Sequence, residues 1–235
     1  MHLFYNPHIQ SGIFELDEKE SKHAVRVLRM VSGDPVILVD GKGGWYEAHI
    51  IDDHPKHCKL QIDSHTPDCR PLPYSLHLAV APTKNLDRFE WFLEKATEIG
   101  ITDITPLICT RSERKEVKME RLEKIIVSAM KQSLKAFKPV LHNPTGLGSF
   151  LRINRKGTLG IAHCNPGERR GLGEMELSGN YTMLVGPEGD FTEEEISGAI
   201  QAGYLPFHLG DSRLRTETAA VVITSSISLL HQRKI

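Results

Sequence analysis

No apolar run in this 235-residue chain approaches the length of a bilayer span. Its opening residues, Met1-His2-Leu3-Phe4-Tyr5-Asn6-Pro7, lack the basic region and long apolar stretch of a signal peptide. Neither a membrane protein nor an exported one is indicated, and the cytoplasm is the expected compartment. The four cysteines, Cys58, Cys69, Cys109 and Cys164, form no Cys-x-x-Cys pair, which argues against a zinc ribbon and against a disulfide framework. They read as free thiols, and no metal ligand set is expected. Charge of one sign is lacking too, since the net charge is -1. An average can hide a patch, however. Residues 1–68 hold 7 Lys+Arg against 11 Asp+Glu, whereas residues 111–138 hold 9 against 4. That second segment is the best candidate for meeting phosphates, although the same run also reads as the solvated face of a helix.

What is present is the composition of an ordinary globular protein, 40% hydrophobic and 25% charged. Up to about Asp68 the pattern predicts short strands at Leu3 to Tyr5, Pro35 to Val39, Trp45 to Ile51 and Leu60 to Asp63, with one helical stretch from Glu18 to Met30. The turn Asp40-Gly41-Lys42-Gly43-Gly44 lies between two of those strands, so its glycines fit a hairpin rather than a phosphate loop, which would have to open a helix. Thr66-Pro67-Asp68-Cys69-Arg70-Pro71-Leu72-Pro73 carries three prolines, favours extended backbone, and marks the expected boundary between domains at 1–68 and 72–235.

Beyond it, strands and helices alternate. Strands are expected at 76–81, 103–107, 159–163, 181–185 and 206–209, and helices at 86–99, 119–132, 192–202 and 216–231. That order predicts an α/β domain with a largely parallel sheet. Thr192 and Glu195 have capping-box spacing, and Gly100 and Gly203 stand where helix C-caps favour glycine.

In such a sheet, ligands collect at the carboxyl ends of strands. Three loops qualify: the one after Gly160-Ile161-Ala162-His163, the segment Leu184-Val185-Gly186-Pro187-Glu188-Gly189-Asp190-Phe191, and the segment from Leu209-Gly210 to Arg215-Thr216-Glu217-Thr218-Ala219. Gly186 and Gly189 let a ligand approach the backbone, Pro187 stiffens the path, and Glu188 offers a carboxylate suited to a ribose hydroxyl or a cationic ligand. Singly, each loop could be an ordinary strand-to-helix turn, and Arg213, Arg215 and Glu217 a surface salt-bridge cluster. An ordinary Rossmann site is disfavoured, because Pro82-Thr83-Lys84 rather than a glycine-rich turn follows the strand at 76–81.

In combination, Leu184 to Gly189 followed by Leu209-Gly210 and Leu214 to Ala219 resembles the cofactor end of the SPOUT methyltransferases. Within them the chain is similar to the ribosomal RNA small subunit methyltransferase E family. His23 with Val27-Leu28-Arg29, Lys84 with Arg88, Glu94 to Gly100, Thr105-Pro106-Leu107, Arg111 to Arg114, and Gln132-Ser133 continue the match over nearly the whole chain. The resemblance implies a PUA-like N-terminal β-barrel for RNA, a C-terminal α/β domain tied in a trefoil knot, and a homodimer. It also implies S-adenosylmethionine held by His163, Val185, Gly186, Pro187, Glu188, Gly189, Leu209, Gly210, Leu214 and Arg215.

The implied reaction forms N3-methyluridine in 16S ribosomal RNA, naked or in the assembled small subunit. Arg215 is expected to stabilise charge on the base and Glu217 to orient it or relay the proton; Arg29, Lys84, Arg111 and Arg114 are expected RNA contacts. The alternatives are a related enzyme acting on another RNA or position, and an RNA-binding assembly protein without turnover. Two positions depart from the family pattern: Asp190 stands where a second glycine is common, and Leu134-Lys135 where Gly-Arg is frequent.

Overall fold

The computed structural model describes residues 2–176 and 178–232. They divide into two units, one of residues 1–71 with 130–138, the other of 72–129 with 139–235.

The first unit is a curled five-stranded sheet. β1 (Leu3–Tyr5), β2 (Ile13–Glu15), β3 (Pro35–Val39), β4 (Trp45–Asp52) and β5 (Lys59–Thr66) lie in the order β1-β3-β4-β5-β2. Only β1 and β3 pair in parallel; the rest are antiparallel, with irregular register in β4 that sharpens its bend. β3 is apolar at every position because both its faces are covered. Val36 and Leu38 join a core with Phe4, Leu16, Ala48, Ile50 and Leu60, while Ile37 and Val39 pack with Met130 and Ala136. The hairpin glycines have positive φ, 75° at Gly41 and 105° at Gly43. A Cβ on Gly43 would also lie 2.4 Å from the Phe137 ring, so that position excludes a side chain twice over.

Two expectations are corrected here. The helix expected from Glu18 to Met30 is α1 (Glu18–Lys22) continued by a π-helix over His23–Val27, so it changes type midway and ends short of Met30. It stops because Arg29 takes φ 57° while the Met30 amide reaches back to the Ala24 carbonyl at 3.1 Å, a C-terminal cap that usually employs glycine. The linker, in turn, is not uniformly extended. Asp68 and Arg70 have φ of 48° and 54°, and the Cys69 amide donates to the Gly43 carbonyl at 2.8 Å, which folds this stretch back onto the hairpin.

The second unit holds β6 (Ser75–Val80), α2 (Leu86–Ile99), β7 (Asp103–Ile108), α3 (Met119–Gln132), β8 (Val140–Leu141), β9 (Thr145–Gly146), α4 (Leu147–Leu151), β10 (Thr158–Ala162), β11 (Arg170–Gly171), β12 (Asn180–Val185), α5 (Glu193–Gln201), β13 (Leu205–His208) and α6 (Thr216–Gln232). Every ladder is parallel, in the order β11-β13-β10-β12-β6-β7-β8, with β9 pairing β7. Alternation along β6 sends Leu76, Leu78 and Val80 into one core with Phe89, Phe92 and Ile223, and Ala79 into another with Phe150, Phe191 and Tyr204. Helices on both faces and short crossings put the carboxyl ends of β10, β12 and β13 side by side.

Candidate functional site

Three loops leave those adjacent strand ends and enclose a cavity of about 290 Å³. The first wall is Ala162-His163-Cys164 with Arg169, the second Val185 to Glu188 with Asp190, and the third Phe207 to Gly210 with Ser212 to Thr216. Local chemistry fixes each loop. A Cβ at Gly186 would press on the Phe191 ring at 3.0 Å, and Gly210 has φ 105°. The hydroxyl of Thr216, at the start of α6, donates to the Gly186 carbonyl at 3.0 Å and joins the second loop to the third. The capping box at Thr192 and Glu195 is formed, and the Glu195 carboxylate also accepts from the Thr110 amide at 2.8 Å.

His163 is the most distinctive group in the wall. It is buried, yet neither ring nitrogen has a hydrogen-bond partner. Burial chiefly holds its pKa below the ordinary 6.5; the Asp190 carboxylate opposes the shift, the Arg169 guanidinium adds to it, and the nearby Asn165 backbone weakly favours the charged ring without meeting it in hydrogen-bonding geometry. A neutral imidazole left unsatisfied in a cavity wall is a group arranged for a ligand. Arg169 donates to the His163 carbonyl at 2.6 Å, while its Nε is likewise buried without a partner.

Of the residues singled out in the sequence, His163, Val185, Gly186, Pro187, Glu188, Leu209, Gly210, Leu214 and Arg215 line the cavity. Gly189 instead lies against the Arg111 side chain, which approaches to 3.3 Å of where a Cβ would be. Arg215 is exposed on the wall, whereas Glu217 is buried just behind it, its nearest cation being Arg88 at 3.8 Å. Lys84, Arg111 and Arg114 gather around the second loop. The Lys84 amide donates to Glu188 at 2.9 Å, Arg111 donates to the Gly189 carbonyl at 2.8 Å, and Arg114 donates to the Lys84 carbonyl at 3.0 Å. Arg29 belongs to the first unit, at the positive-φ end of its π-helix. Part of the basic excess in 111–138 is neutralised, Arg121 by Glu90 at 2.6 Å and Lys131 by Glu20 at 2.8 Å.

Arg169 is not anticipated at the site, while Asp190 and Arg88 are noted in the sequence without a role there. Asp190 takes φ 61°, a conformation aspartate tolerates better than most residues, so the departure from glycine leaves the turn intact. No short motif marks Arg169, which reaches the wall only because β11 pairs with β13.

A parallel α/β unit whose strand-end loops close on one cavity, beside a curled β unit, matches models of RNA methyltransferases in both units. Residues 70–228 match the sequence model described as "RNA methyltransferase domain", and residues 16–63 match "RNA methyltransferase PUA domain". The chain is 32% identical to the ribosomal RNA small subunit methyltransferase E of Synechocystis sp., over 87% of this chain and 69% of that one. Its structure resembles one described as a "probable rRNA-methyltransferase" from Porphyromonas gingivalis (TM-score 0.93, 38% identity, all of both chains). It also resembles a ribosomal RNA small subunit methyltransferase E from Neisseria gonorrhoeae bound to S-adenosyl methionine (TM-score 0.88, 28% identity, 98% of both chains). This chain belongs to the ribosomal RNA small subunit methyltransferase E family.

Proposed function

We propose that the protein transfers the methyl group of S-adenosylmethionine to N3 of a uridine in 16S ribosomal RNA, in the cytoplasm and as a homodimer. In this reading residues 1–68 bind RNA and residues 72–235 carry the chemistry; the dimer and the base rest on the family resemblance. The observation that carries the cofactor assignment is His163, whose two unpartnered ring nitrogens lie buried in the wall of the three-loop cavity. A polar nucleoside edge satisfies such a group, and the backbone around Gly186, Leu209 and Gly210 leaves room for its ring.

The cofactor, when bound, supplies an activated methyl group on a sulfonium. The chain's own residues have two tasks, to align the uracil N3 with that methyl and to ease loss of the N3 proton. Arg215, exposed on the wall, meets the negative charge that spreads onto the uracil oxygens as the proton leaves. Glu217, buried at the start of α6 with Arg88 3.8 Å from its carboxylate, orients Arg215 or relays the N3 proton. Lys84, Arg111 and Arg114 cluster beside the same loop and approach RNA phosphates, with Arg29 contributing from the other unit.

The test is methyl transfer from labelled S-adenosylmethionine to small ribosomal subunits from a strain lacking this protein, with the modified nucleoside identified by mass spectrometry. N3-methyluridine is expected. A different nucleoside would retain the enzyme and replace its target; cofactor binding with no transfer would favour an RNA-binding assembly protein.

A further inference from the structure

We propose that His77, Asp103 and His142 form a binding site for one divalent transition cation of the zinc type, at the opposite end of the sheet from the cofactor cavity. Each offers one ligand atom, and the three atoms lie within 4.8 Å of one another. Strand register brings them together. His77 on β6 pairs with Asp103, the first residue of β7, and the His142 amide, just past β8, donates to the carbonyl of Ile104 at 2.8 Å. Three consecutive neighbours in the sheet thus contribute one donor each: His77 and Asp103 lie in the amino-terminal halves of β6 and β7 and His142 directly follows β8, whereas the cofactor loops leave the carboxyl ends of β10, β12 and β13.

The side chains are held for the task. The His77 ring bonds Thr105 Oγ1 through Nε2 at 2.7 Å, which fixes its orientation and keeps a second nitrogen for a cation. The ring is also braced by the edge of Phe150 and stacks on His142, with centroids 5.4 Å and 5.0 Å away. His142 Nε2 shares a hydrogen with Asp103 Oδ1 at 2.8 Å, and a cation takes the place of that hydrogen. Among the described residues, the guanidinium that acts on His77 is that of Arg155, and it is engaged elsewhere. It lies 3.8 Å from the centroid of the Phe150 ring and donates to the Phe150 carbonyl at 2.9 Å.

Two imidazoles and one carboxylate suit zinc, cobalt(II), nickel or copper rather than magnesium or calcium, which prefer all-oxygen shells. Tetrahedral bonds of about 2.0–2.2 Å space the donors by about 3.4 Å, so the most distant pair draws together by roughly 1.4 Å while His142 Nε2 and Asp103 Oδ1, 2.8 Å apart, open by roughly 0.6 Å, and partial exposure leaves a fourth position to water. Occupancy would cross-link β6, β7 and the segment after β8, adding to the short ladders by which β8 and β9 pair with β7.

The experiment is a cobalt(II) titration of the full chain after treatment with chelator, read by visible absorption and by calorimetry, with zinc as competitor. One equivalent is expected to bind with the absorption of a four- or five-coordinate nitrogen–oxygen site, to be displaced by zinc, and to raise the melting temperature. His142→Ala and Asp103→Asn should each weaken binding by at least about tenfold, the scale known even for outer-sphere changes at metal sites. Far-UV circular dichroism and S-adenosylmethionine binding, both expected to be unchanged, verify that the variants fold. His54 and His57, whose rings stack 5.5 Å apart in the first unit, provide the control. Binding that survives His142→Ala, or that disappears in the His54→Ala/His57→Ala variant, would overturn the proposal in favour of adventitious binding.

Discussion

The carboxylate of Asp190 accepts a hydrogen bond from the Cys164 amide at 2.8 Å, while its second oxygen accepts from the Phe191 amide at 2.8 Å. One side chain therefore pins the loop after β10 to the loop after β12, and both loops are walls of the cavity. Asp190 takes a positive φ of 61° and ties the two loops together across the site. Losing a hydrogen bond to a charged acceptor costs about 1.5–3 kcal/mol, so Asp190→Ala should weaken S-adenosylmethionine binding by roughly tenfold or more. Asp190→Asn keeps an acceptor and a residue tolerant of positive φ and should bind nearly as the parent does. Asp190→Gly removes the strain and the tie together and should fall between. Calorimetry on the three variants checks the order, and equal affinities for Gly and Asp would mean that the tie does not shape the cavity.

A second prediction concerns pH. His163 is held neutral mainly by burial, with its pKa below 6.5. The unfolded chain takes up this proton first as pH falls. The stability contributed by the neutral ring is therefore full above 6.5 and is lost as pH drops below it toward the depressed folded value. Cofactor binding should follow the same direction, steady through neutral pH and declining in acid, where a charged imidazole faces a cationic sulfonium. In His163→Asn the acid decline should flatten. An affinity that already falls between mildly alkaline and neutral pH would assign the titration to another group.

How much of this was legible in the sequence depends on the length of the signal. Long amphipathic helices such as 86–99 and 119–132, and the apolar strands at 76–81 and 181–185, stand out because their periodicity extends over many residues. The two- and three-residue strands β2, β8, β9 and β11 and the short helix α4 do not, since their partners rather than their own residues define them. The association of 130–138 with the β unit is of the same kind, being fixed by Phe137 against Gly43 and by the Gly43 amide donating to the Ala136 carbonyl. At the site, glycines and a proline announce the second loop. Arg169 and the His77–Asp103–His142 group leave no trace in spacing, because strand register brings them near their neighbours, and the Arg88–Glu217 pair is set by the packing of α2 on α6.

Leu134 supplies a prediction about stability. It has φ 54°, a left-handed conformation costly for a side chain branched beyond Cβ, at the position where the family frequently has glycine, and it is 38% exposed. Left-handed backbone costs a non-glycine residue about 1–2 kcal/mol, part of which is offset by the greater unfolded-state freedom of glycine. Leu134→Gly should therefore stabilise the protein by roughly 0.5–1 kcal/mol, visible as a melting temperature raised by a few degrees, whereas Leu134→Ala should not. A Gly variant that melts below the parent would show that Leu134 contributes more through packing than it costs in strain.

The thiols offer a probe of the cavity that does not depend on turnover. Burial raises the Cys58 thiol to about 11 and, together with the Glu195 carboxylate, the Cys109 thiol to about 12, so neither presents a thiolate at neutral pH. Cys164 is exposed on the cavity wall, and Cys69 is half-buried in the first unit. In the native protein iodoacetamide should modify Cys164 first, with Cys58 and Cys109 reacting only after unfolding. Saturating S-adenosylmethionine should slow the Cys164 reaction without affecting Cys69, as peptide mass spectrometry over time can resolve. Protection of both cysteines would point to a global tightening on binding, and protection of neither would mean that the cofactor leaves the loop after β10 uncovered, contrary to the role given to His163.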